Sequence, residues 1–229
     1  MVTSTSTTES SADVAYRKLR QMLCRGELVP GQRLSQSRLG RQLGCSSMPV
    51  VEAMRRLESE GVLLKQARKQ AIVRRLSEKD LEGLYLLREA IESVAARLAA
   101  KRVTPEETQV LQKLAEAFER DVEANHDSGE TDIAIHRHIA ACACCPLLNE
   151  ELDRLLLIEQ TAGRSFNSEV EQICNPHCHR ALVQAIIDHD ADSAEYLMKR
   201  HIQSGYAEVQ RIVATQTIKP RRTRRASQS

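Results

Sequence analysis

Asp132 and His136 stand four residues apart. On a helix that spacing puts a carboxylate and an imidazole on one face, where together they can pinch a divalent cation. Two further histidines, His179 and His201, lie beside apolar residues: Ala181, Leu182, Ala185 and Ile186 for the first, Leu197, Met198 and Ile202 for the second. An imidazole on an apolar helical stripe needs a partner. Histidines on two antiparallel helices facing one interior suggest a shared ligand. His126, His138, His177 and His189 lack such a setting, and His138, two residues from His136, points to the other side of its helix. The cysteines offer a rival centre. Cys142, Cys144 and Cys145 with Cys174 and Cys178 could bind a soft metal or respond to an oxidant, although the C-x-C-C spacing is not that of a zinc knuckle. Buried small apolar roles are the ordinary alternative for them.

A second chemistry is carried by charge. The net charge of +2 over 229 residues conceals a split. Residues 13–76 hold 14 Lys+Arg against 5 Asp+Glu, a net of +9, residues 77–218 hold 14 against 25, a net of −11, and residues 219–229 add five positive charges. A basic N-terminal segment beside an acidic remainder points to phosphate as the partner of the first. Arg33, Arg38, Arg41, Arg55, Arg56, Lys65, Arg68 and Lys69 are the candidates for that work.

The elements that must position these groups are mostly helical. Aromatic residues make up 3% of the chain and Trp is absent, so its cores are aliphatic. Apolar spacing predicts a helix from Asp13 that stops at Gly26, a short helix around Leu39 and Leu43 ending at Gly44, and a helix over 48–60 capped by Ser46 or Ser47. On the last of these Ser47, Val51 and Arg55 share one face, and Val50, Ala53 and Leu57 are better placed for the core. Two short strands, 62–64 and 71–73, flank a basic turn. Helix, tight turn, helix and hairpin make a winged helix-turn-helix. Six amphipathic helices follow, over 81–102, 105–123, 131–145, 147–164, 169–189 and 191–217. The fold class expected is mostly α: disordered ends at 1–12 and 219–229, a winged helix-turn-helix domain at 13–76, and an all-helical antiparallel bundle at 77–218. No run approaches a membrane span, and the first residues lack the layout of a signal peptide, so a cytoplasmic location is expected.

The run LRQMLCRGELVPGQRLSQSRLGRQLGCSSMPVVEAMRRLESEGVL resembles the DNA-binding domain of GntR-type regulators, and LREAIESVAARLAA with the later histidines resembles the FadR-type (FCD) effector domain, nearest its VanR-like six-helix members. The resemblance implies a homodimeric transcription regulator, more often a repressor, that binds a double-stranded DNA operator and is not an enzyme. It carries metal-ligand roles onto Asp132, His136, His179 and His201, with zinc first and nickel or manganese as alternatives. Three imidazoles and a carboxylate leave positions open on a five- or six-coordinate ion. The resemblance places a small organic acid there, with Arg88 as its charge partner; Glu92, one turn on, is either a second effector contact or the residue that orients a ligand histidine. DNA contacts fall to Arg38, Arg41, Ser46, Ser47, Arg55, Arg68 and Lys69. This chain departs from the family pattern at Ser47 and Val51, where arginines that read guanine are common, and at Gln70, which replaces the wing glycine. A metal that only staples the bundle, a metal-dependent enzyme, a thiol sensor and a partner-binding protein that has lost sequence reading are the alternatives.

Overall fold

A computed structural model describes residues 9–66, 70–162, 177 and 179–217, without the side chains of 215–217. Contacts divide the chain into two compact units. One comprises residues 1–84 with 146–165, the other 85–145 with 166–229.

The first unit opens with α1 (Ser11–Cys24), capped by the Ser10 side chain, which accepts from the Asp13 N–H. The strand β1 (Arg33–Leu34) leads to α2 (Gln36–Leu43), and α3 (Ser47–Ser59) follows. Gly44 ends α2 in the left-handed region at φ 67°, open to glycine at little cost, and a Cβ at Gly40 would stand 3.1 Å from the Cys45 carbonyl oxygen. These two glycines let the chain reverse tightly between α2 and α3. Val50, Ala53, Met54 and Leu57 of α3 are buried, as are Ala15, Tyr16, Leu19 and Leu23 of α1. Each such leucine stabilises the unit by roughly 1.5–3 kcal/mol. The Tyr16 hydroxyl donates to Glu60 at 2.7 Å, and the Arg56 guanidinium lies 3.9 Å from the Tyr16 ring centre.

Strands β2 (Leu63–Gln66) and β3 (Gln70–Val73) pair antiparallel, and β1 adds to the other edge of β3 to give the order β1-β3-β2. Gln70 lies in the ladder opposite Gln66. The two-residue β1 was not anticipated. Leu34 is buried opposite Ala71, so tertiary pairing creates a strand that local pattern cannot announce.

The long helix α4 (Glu78–Arg102) crosses the boundary between units, which falls after Leu84. Within the second unit α5 (Pro105–Glu123) starts with a full capping box between Thr104 and Glu107, with Pro105 in its first turn. Then come α6 (Gly129–Cys142), α7 (Pro146–Ala162), α8 (Arg180–Ile187) and α9 (Ala191–Thr217). By its contacts α7 groups with the N-terminal unit. Leu152, Leu155, Leu156, Leu157 and Ile158 of α7 are buried, and a Cys24 thiol of α1 lies 3.6 Å from the Gln160 side-chain oxygen. No described helix is long and apolar enough to cross a membrane.

Candidate metal centre

Helix α6 presents Asp132 and His136 on one face, as their spacing requires, and buries Ile135, His136 and Ile139. Thr131 donates to Asp121 at 2.7 Å, tying the start of α6 to the end of α5. His179 occupies the N-cap position of α8, one residue before the helix, rather than the interior of the expected 169–189 helix. Residues 169–176 and 178 of that expected helix lie outside the described residues. His179 is held from α5. Phe118 packs edge-on against its ring at 4.5 Å between centres, and Glu119 accepts from Arg180 at 2.9 and 2.5 Å and stands 3.3 Å from His177 Nδ1. The flanks of His179 are therefore anchored on both sides. His201 comes from α9.

These elements bring Asp132, His136, His179 and His201 together, with one donor atom from each lying within 4.8 Å of all the others. Asp132 Oδ1 is 3.2 Å from His179 Nε2 and 3.7 Å from His136 Nε2, and the Nε2 atoms of His136 and His201 are 3.1 Å apart. Donors about 2.1 Å from one ion stand about 3.0 Å apart when adjacent and about 4.2 Å apart when opposite. The distances fit a single ion with small adjustments. His136 and His179 are buried, while Asp132 and His201 keep part of their surface.

Behind the donors stands a relay. His136 Nδ1 meets Glu92 Oε2, which commits that nitrogen and leaves Nε2 toward the cluster, and Arg88 Nε donates to the other Glu92 oxygen at 2.7 Å. Glu92, one turn after Arg88, thus lies between Arg88 and the His136 ring. The i,i+4 spacing of Arg88 and Glu92 was the sequence sign of this buried pair. Burial works against charge throughout, yet Arg88 and His136 draw the Glu92 carboxyl down to about 2, and Glu92 with Asp132 raises His136 to about 10. Asp132 is likewise held well below the usual carboxylate range, against burial, by His136 and His179. His201 goes the other way: burial, then the nearby His179 and His136, push it well below the ordinary imidazole range. Arg88 and His136 thus favour the ionised form of Glu92, and His136 and His179 that of Asp132.

The remaining candidates lie apart. His138 Nε2 is 3.3 Å from the Glu107 carbonyl oxygen, and His189 Nδ1 is 2.8 Å from that of Ala100. Among the described residues Asp132, His136, His179 and His201 form the one group with metal-holding distances, and no cysteines join it. Cys174 and Cys178 lie outside the described residues. Burial pushes the Cys142 thiol up to about 12, helped by Glu107, whereas Cys144 is exposed. Iodoacetamide at pH 8 is therefore expected to alkylate Cys144 in the folded protein and to leave Cys142 unmodified, as read by peptide mass analysis.

In the first unit Arg38, Arg41, Ser46, Ser47 and Arg55 are all exposed, on α2, the turn and the outer face of α3. Ser46 holds the N-cap position of α3 but its hydroxyl makes no capping bond. Arg68 and Lys69 lie outside the described residues.

Comparison with known proteins identifies the class. The description "Bacterial regulatory proteins, gntR family" matches residues 11–73, and the FCD domain matches residues 83–204. The chain belongs to the GntR family of regulators with an FCD domain, a class of DNA-binding transcription regulators rather than enzymes. It is 32% identical over 107 residues to the uncharacterized HTH-type transcriptional regulator YdhC of Bacillus subtilis, a match covering 47% of this chain and about half (48%) of that protein. A probable D-xylose utilization operon transcriptional repressor of Paenarthrobacter nicotinovorans is 27% identical over 186 residues, 79% of this chain and 80% of the relative. The solved structure of Escherichia coli McbR/YncC shares the fold, with a TM-score of 0.77 at 23% identity over 89% of this chain and 99% of that one.

Proposed function

We propose that this protein is a homodimeric transcription repressor whose DNA binding is set by a divalent metal and a small carboxylate effector held in its helical unit. The observation that carries the metal half is the convergence of Asp132, His136, His179 and His201 with Glu92 fixed behind His136. These four residues would hold the ion, zinc first. The bound ion would offer open positions to an effector oxygen. Arg88 is engaged with Glu92, so its contribution to an acidic effector is a positive field across the site.

The DNA half rests on the net +9 of residues 13–76 and on the exposed basic and hydroxyl side chains of α2 and α3. One recognition helix reads one half-site, which is the reason for a dimer on a two-fold operator. A location in the cytoplasm, where the DNA is, accompanies this reading.

The test is a band shift of the metal-loaded full chain on fragments upstream of its own gene, with and without a panel of small carboxylates. Binding is expected to weaken on the order of a thousand-fold between 50 and 200 mM salt, as for a protein that neutralises several phosphates. Absence of binding at low salt would overturn the proposal. So would a complex unaffected by both chelator and every carboxylate.

A further inference from the structure

The leading end of α3 is unusual in what it offers to a groove. The buried face of the helix is Val50, Ala53, Met54 and Leu57. Opposite it, by helical geometry, Met48, Glu52 and Arg55 point outward, with Ser47 and Val51 to one side. Met48 keeps 72% of its surface exposed, more than the chain's other exposed methionine-sized apolar groups near the DNA-binding elements, Val29 at 52% and Leu64 at 42%. Ser47 and Glu52 are exposed and Val51 is half-buried. No cation stands on the first two turns of this face. The first guanidinium is Arg55, in the third turn.

Base edges in the major groove differ in what can satisfy such a surface. Guanine offers two acceptors, N7 and O6, and is read by paired donors such as an arginine fork. A carboxylate at Glu52 repels those acceptors and accepts instead from the amino group of cytosine or adenine, and Met48 and Val51 carry no donors at all. The serine hydroxyls of positions 46 and 47 serve either kind of edge and discriminate little. The thymine 5-methyl is the apolar group on the groove floor, and an apolar side chain gains by covering it. Arginines at 38, 41 and 55 are exposed around the patch and are available to phosphates.

Resting on the DNA-binding reading above, we infer that Met48, with Val51 beside it, reads thymine methyl groups, so that the operator half-site is specified by thymine where this helix end docks and not by guanine. The exposed arginines supply affinity. The apolar pair supplies the choice of base.

The full-length, metal-loaded protein is used to select duplexes from a random-sequence pool, and the winning duplex is remade with each thymine replaced singly by deoxyuridine, which lacks only the methyl. At one or two positions per half-site the replacement is expected to weaken binding about four-fold, the worth of one buried methyl. Met48→Ala should make those positions indifferent to the replacement while leaving the thermal midpoint unchanged, since the side chain is exposed. Ser47→Arg should shift the selected base beneath it to guanine. A wild-type consensus of guanines under α3, or no thymine sensitive to methyl removal, overturns the inference and leaves the regulator reading standing. No duplex bound at all, even at low salt, overturns both.

Discussion

Glu92→Ala is expected to destabilise the metal-free helical unit by about 3–5 kcal/mol, the usual consequence of breaking a buried charge pair on one side. Arg88 and His136 would then face one another in the interior with no carboxylate between them. Urea unfolding followed by circular dichroism measures the loss. Glu92→Gln, which keeps the shape and an acceptor, should lose less. The pH dependence of the metal-free wild type carries the same signature. Glu92 falls from an ordinary 4.5 to about 2 on folding, so its contribution is complete above about pH 4.5 and is lost as the pH drops toward 2. His136 rises from 6.5 to about 10, so its contribution is complete below about pH 6.5 and is lost as the pH rises through 10. The metal-free unit should be most stable between these limits. A flat profile from pH 6 to 9 would show that His136 holds no such proton.

His179→Ala is expected to abolish stoichiometric metal binding, with affinity reduced more than the 10–100-fold typical of losing an outer hydrogen-bond partner. In the wild type, metal at about a hundred times its dissociation constant adds about 2.7 kcal/mol, a rise in melting temperature of roughly 5–10 °C for a unit of this size. The variant should show none of it, with metal content after dialysis as the independent check. Glu119→Gln offers a milder comparison, because it loosens the flanks of His179 and keeps the ligand. The gain from metal should also grow from pH 6 to pH 8, by up to about ten-fold in affinity per pH unit for each proton displaced, since the ion competes with the proton on His136. This trend opposes that of the metal-free form. An unchanged thermal shift in His179→Ala would remove that residue from the site.

Much of this was legible in the sequence where a local rule sufficed. Apolar spacing predicts a helix over 105–123, and α5 runs over those residues. Asp132 and His136 needed only the helical repeat. Val50, Ala53 and Leu57 were assigned inward by the same repeat, and all are buried. What stayed illegible depends on partners distant in the chain. β1 is two residues that become a strand by pairing with β3. His179 carries a helical pattern downstream yet stands outside the helix, fixed by Phe118 and Glu119 from α5, which no spacing around His179 could reveal. The Arg88–Glu92 pair was visible as a spacing. Its burial, and the His136 nitrogen at its end, were not.

Of the four donors, His136 and His179 are buried and Asp132 and His201 are partly exposed. An ion held there would meet solvent most readily past Asp132 and His201. Residence time and tightness would then be set by different residues. The buried pair, kept in place by Glu92 and Phe118, would give the site its grip, and the partly exposed pair would be the latch that lets go first. A regulator built this way could change how quickly it responds, through substitutions around Asp132 and His201, without changing how much metal it needs to be filled.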